Sequence, residues 1–84
     1  MKKNIEKLIE DYPDEELLQA DGFDDAIIGI EENSKRIVYD IELMIEVLTS
    51  IEEMSYEDAI EHLSYNVINA YVGEKTPIYI NKIK

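Results

Sequence analysis

Asp21, Asp24 and Asp25 crowd around Gly22 in the stretch Ala20-Asp21-Gly22-Phe23-Asp24-Asp25, and acids at that spacing invite comparison with a calcium loop. Such a loop draws its oxygen ligands from alternating positions around a fixed glycine and closes on a carboxylate. With Gly22 in the glycine position, the first, third and last positions fall on Leu17, Gln19 and Ile28, none of which carries a carboxylate. The motif fails. What remains is a loose cation contact or, more simply, an Asp-Gly turn that ends one element and opens the next.

A second constellation lies near the only histidine. Asp58 and His62 stand four residues apart, one helical turn, and so form a two-ligand metal edge; Glu57 and Glu61 repeat that spacing. A working metal site needs three or four converging ligands, and a catalytic histidine needs a nucleophile and an orienting group. No Ser or Thr stands in a recognised nucleophile pattern. The glycines at 22, 29 and 73 fit no phosphate-binding loop, and the many carboxylates mean nothing for glycoside chemistry without a cleft. No catalytic residue, metal or cofactor is therefore assigned, and the expectation is a protein that is not an enzyme.

Charge is the more informative property. The 84 residues include 20 acids and 8 bases, a formal net charge of −12. Between Leu8 and Ser34 there are ten acids and no Lys or Arg; between Ile37 and Glu74 there are nine acids and again no base. Binding to a nucleic-acid backbone works by releasing counterions from phosphates and needs clustered Lys and Arg, so direct nucleic-acid binding is not expected. A basic, nucleic-acid-binding protein is the favoured partner, met by salt-sensitive attraction. Glu42, Glu46, Glu53, Glu57, Asp58 and Glu61, with Asp21, Asp24 and Asp25, are the candidate partner-binding residues. Two readings fit them: a solvated face that keeps a small protein dispersed, or carboxylates placed where phosphates would lie in another protein's groove.

The elements that would position these residues follow from periodicity. Ile5, Leu8, Ile9 and Tyr12 make an amphipathic helix over 3–12, ended by Pro13. Acids at 14–16 open a second short turn or helix carrying Leu17 and Leu18. Two β-branched runs, 26–30 and 35–40, flank Glu32-Asn33-Ser34 and read as a hairpin, with Gly29 admitting the close approach of another backbone. Asp40 caps a helix whose apolar stripe is Ile41, Met44, Ile45, Leu48 and Ile51, extending to about Met54. Ser55 caps the next, whose stripe runs from Tyr56 to Tyr71 and ends at Gly73. Tyr39, Tyr56 and Tyr71 are expected in the core. Pro77 confines Ile78-Tyr79-Ile80 to a sheet edge. The order α-α-β-β-α-α-β defines one α+β domain over 1–84, with helices packed on a small antiparallel sheet.

A domain of this size buries only about 60–65% of its unfolded surface, which leaves room for one thin core. The chain has no cysteine, hence no disulfide framework, and no apolar run nears the roughly 18 residues of a membrane span. These features fit a cytoplasmic protein.

The runs "DGFDDAIIGIEENSKRIVYD" and "MSYEDAIEHLSYNVINAYVGEKTPIYI" resemble a group of small proteins of bacteriophage and prophage genomes. The resemblance spans Ala20 to about Ile80 and is most specific at Tyr71-Val72-Gly73-Glu74-Lys75-Thr76-Pro77. It carries no catalytic residues. It implies a phage origin and action in the host cytoplasm, where small acidic proteins act as DNA mimics and anti-CRISPR proteins. The resulting expectation is an inhibitor of a host nucleic-acid-handling or defence protein. The alternative is a self-associating structural or regulatory module, with Ile41–Ile51 or Ile78–Ile80 as the dimer contact.

Overall fold

The computed structural model describes residues 4–83. Its elements are α1 (Asn4–Asp11), a short 3-10 turn (Asp24–Ala26), β1 (Ile27–Ile30), β2 (Ile37–Asp40), α2 (Ile41–Ser50), α3 (Tyr56–Leu63), a π-helical turn (Ser64–Ile68) and β3 (Ile78–Ile80). Together they make a single α+β domain. The sheet order is β1-β2-β3, so β2 is central.

The sheet is mixed, not antiparallel. β1 pairs antiparallel with β2 as expected of a hairpin, but β3 runs parallel to β2, with Val38 opposite Ile78 and Asp40 opposite Ile80. The cause is the connection: β2 and β3 are joined through both helices, and a crossover of that kind is what parallel neighbours require. Position 77, before β3, suits Pro77, because β3 is an edge and no sheet bond from that residue is lost.

Hairpin geometry comes from the loop. Glu31 N–H donates to the Arg36 carbonyl at 2.8 Å and Lys35 N–H to the Glu31 carbonyl at 2.9 Å, with Lys35 at φ 57°. The Glu31 carboxylate accepts from Asn33 and Ser34 N–H groups, and the Asn33 bond above all holds it below the usual carboxylate range. In β1 the register slips between Ile27 and Gly29. Gly29 belongs to this bulge: a Cβ there would meet nothing within 4 Å, so no backbone approaches it closely.

The expected second helix at 14–18 does not form. Glu15 N–H bonds the Tyr12 carbonyl at 3.1 Å, which spends Pro13 and Asp14 on a turn; Leu17 then packs against the core from non-helical chain. Asp21-Gly22 makes another turn, Phe23 N–H to the Ala20 carbonyl at 3.2 Å, with Gly22 at φ +87° where a type II turn needs it.

Both helix starts follow their caps. The Asp40 carboxylate accepts from Glu42 N–H at 2.9 Å, and Ser55 Oγ from Asp58 N–H at 3.2 Å. Helix α2 ends at Ser50, short of Met54. Beyond it Glu53 takes φ 56°, and Met54 N–H reaches the Leu48 carbonyl at 3.0 Å. The wide turn at 64–68 resets the phase of the last helix, so the stripe expected to continue to Tyr71 breaks: Leu63 is buried, Val67 and Ile68 are partly buried, and Ala70 and Tyr71 are exposed. Gly73, at φ +112°, therefore serves a separate turn closed by Thr76 and not the helix end.

The core gathers Ile5, Phe23, Ala26, Ile27, Ile37, Tyr39, Met44, Leu48, Ala59 and Leu63. Alternation along β2 sends Ile37 and Tyr39 inward, and one face each of α2 and α3 meets them. Of the three tyrosines expected inside, only Tyr39 is there, with no exposed surface; Tyr56 is 62% and Tyr71 71% exposed. The Tyr39 ring stacks on Tyr79 at 5.7 Å, and its hydroxyl accepts from Ala20 N–H at 2.7 Å. Burial pushes both phenols above their ordinary pKa.

Candidate functional site

Helices α2 and α3 pack against each other, and the chain from α2 through α3 carries acids and no Lys or Arg. Their apolar stripes face the core, which turns the acids outward. Glu42, Glu46, Glu53, Glu57, Asp58 and Glu61 are all exposed, as are Asp21 and Asp25; Asp24 is partly buried.

Three of the described bases are drawn elsewhere. Lys75 Nζ bonds the Glu15 carboxylate at 2.9 Å and the Ser34 carbonyl at 2.9 Å, Lys35 pairs with Glu32 at 3.5 Å, and Arg36 Nε donates to the Thr76 carbonyl. Three of them thus gather at the hairpin loop. Lys82 lies 3.5 Å from the buried Asp40 carboxylate and shares a depression with Glu42, Ile45, Tyr56 and Asn81. The N-terminal end of α2 is therefore partly neutralised. No ion pair joins Glu46, Glu53, Glu57, Asp58 or Glu61 to another described residue.

Not all nine candidate residues come together. Asp58 and Glu61 line an open depression with Met54, His62, Tyr65 and Asn66. Asp21 lines a neighbouring one with Phe23, Leu48, Glu52, Met54 and His62. The two adjoin at Met54 and His62, which line both, with Asp21 and Glu52 on one side and Asp58 and Glu61 on the other. Asp24 and Asp25 sit on the 3-10 turn packed against α1 and α2 and line neither. Glu42 and Glu46 belong to the α2 surface, and Glu42 borders the depression that holds Lys82.

Glu52 is not among the sequence candidates: the apolar stripe carries the expected helix through it to about Met54, whereas α2 ends at Ser50 and Glu52 lines a depression with Asp21. Tyr65 stands off the apolar stripe by period, as a tyrosine available to anchor an interface, and it is 82% exposed.

The Asp58–His62 pair finds no third ligand: among the described residues no three His, Asp or Glu side chains are placed to hold a metal ion, and His62 Nδ1 instead lies 3.4 Å from Asn66 Nδ2. No helix of the described residues is long and apolar enough to cross a membrane. Comparison with protein-family models, with curated proteins and with solved structures finds no match.

Proposed function

We propose that the protein is a non-enzymatic acidic binder. It docks its α2–α3 surface on a basic, nucleic-acid-binding protein of a host cell and occupies the place of a phosphate backbone, in the manner of DNA-mimic and anti-CRISPR inhibitors. One observation carries the reading: the acids of α2 and α3 stand exposed on adjoining helices while three of the described bases are tied up at the hairpin loop. Segregation of this kind leaves a one-signed field over one part of the surface, and such fields steer oppositely charged partners.

The test is capture from a bacterial host with the purified protein, followed by competition. A basic nucleic-acid-binding protein should be retained, released by salt, and displaced by duplex DNA. Replacing Glu53, Glu57 and Glu61 by Lys should abolish capture while leaving the circular dichroism spectrum intact. Capture unchanged by that triple variant, or insensitive to DNA, refutes the proposal.

A second reading, self-association, is favoured by the sheet edge: β3 has no strand neighbour on its outer side among the described residues, while the Ile41–Ile51 stripe buries Met44 and Leu48 within the domain and leaves Ile51 exposed. Sedimentation across a concentration series separates the readings: a dimer indifferent to salt favours self-association, a monomer favours the acidic binder.

A further inference from the structure

We infer that the adjoining depressions between the Asp21 turn and the outer side of α3, one groove in this reading, take Arg or Lys side chains from a basic peptide segment of the partner. This rests on the docking reading above and narrows it to one place. The groove has two open lobes, about 200 and about 350 Å³, that meet at Met54 and His62. The first has an apolar floor from Phe23, Val47 and Leu48 and acids at its rim, Asp21 and Glu52. The second adds Asp58, Glu61 and the ring of Tyr65. No Lys or Arg lines either lobe.

That combination matches one kind of side chain. Lys and Arg carry a long apolar stem and a charged head, so an apolar floor takes the stem while the rim carboxylates take the head. Tyr65 offers a ring face to a cation, and Met54 supplies an unbranched, polarisable wall that adapts to stems of different shape. A small apolar ligand would leave the rim acids unused; an anion would be repelled by them. The acids elsewhere, such as Glu6, Asp14 and Glu16, act only through the general field of the molecule.

Charge removal at equal count separates the two contributions. A short fluorescent oligo-arginine peptide is titrated by anisotropy at physiological salt into the full chain and into two triple variants. One removes rim charges (Glu52→Gln, Asp58→Asn, Glu61→Gln) and the other distant charges (Glu6→Gln, Asp14→Asn, Glu16→Gln). The rim variant should bind about tenfold more weakly, from the loss of several direct charge contacts, and the distant variant less than about twofold. In the wild-type protein with labelled methionine methyls, the Met54 signal should shift on titration while that of buried Met44 stays fixed. Tyr65→Ala, at an exposed position, should weaken binding about threefold. Equal weakening by both triple variants, or an unmoved Met54 methyl, overturns the groove while leaving the acidic-binder proposal standing. Absence of any binding to the wild-type protein overturns both. Should the rim variant fail to fold, the Met54 shift and Tyr65→Ala still decide.

Discussion

Replacing Tyr39 with Phe is the sharpest test of how the turn that carries Asp21 is held. The ring is fully enclosed, so Phe keeps its packing and its stacking on Tyr79; only the hydroxyl that accepts from Ala20 N–H at 2.7 Å is lost. Ala20 is partly buried in the turn leading to Asp21, and its N–H has no other acceptor among the described residues. Removing one partner of such a pair costs about 1–2 kcal/mol, because the remaining donor is left dry and unpaired. In urea, with a slope of roughly 1 kcal/mol/M for a chain this small, the midpoint should fall by about 1–2 M. Amide exchange at Ala20 should quicken at the same time. Tyr79→Phe is the control: its hydroxyl makes no hydrogen bond to a described residue, so the change should stay within about 0.5 kcal/mol. A Tyr39→Phe midpoint within error of wild type, or equal losses from the two variants, would refute the assignment of the Ala20 turn to this hydroxyl.

The remaining predictions concern pH, a cap and a strained residue. Burial raises the pKa of both Tyr39 and Tyr79, so the unfolded chain gives up these protons first. Their contribution is whole below pH of about 10 and is lost as pH climbs through the raised values; alkaline titration of wild type should show this limb, flattened in Tyr39→Phe. Asp40→Ala removes the acceptor for Glu42 N–H and the 3.5 Å contact with Lys82, and should cost about 1–2 kcal/mol in chemical denaturation. Glu53→Gly relieves a left-handed backbone and should raise stability by about 0.5 kcal/mol, after the added freedom of the unfolded chain is set against the strain relieved; any loss of stability would contradict it.

Legibility in the sequence followed the range of the interactions. Asp40 and Ser55 cap helices through bonds to residues two and three ahead, and both helix starts were read correctly. The hairpin was equally local. By contrast, the parallel pairing of β3 depends on a partner some forty positions away, although the β-α-α-β order already held the clue that a helical crossover permits it. A turn at Pro13–Asp14 stands where acids at 14–16 point to a short turn or helix, and Leu17 packs on the core from non-helical chain beyond it. For the candidate site, the acids and their exposure could be read from composition and period. Their grouping could not: Asp21 and Glu52 are some thirty positions apart and come to line one depression only because the Asp21-Gly22 turn meets the chain beyond the end of α2 at Ser50.

The parallel pairing of β2 with β3 also shapes how the chain reaches its native state. β1, β2 and α2 are neighbours in sequence and can assemble through short closures, whereas Ile78–Ile80 find Val38–Asp40 only after two helices have been laid between them. Until then the central strand has one naked flank, open to stray strands from other molecules. The density of negative charge along α2 and α3 opposes the approach of such molecules during that interval, so the acids for which we propose a docking role also guard the half-assembled protein against its own kind.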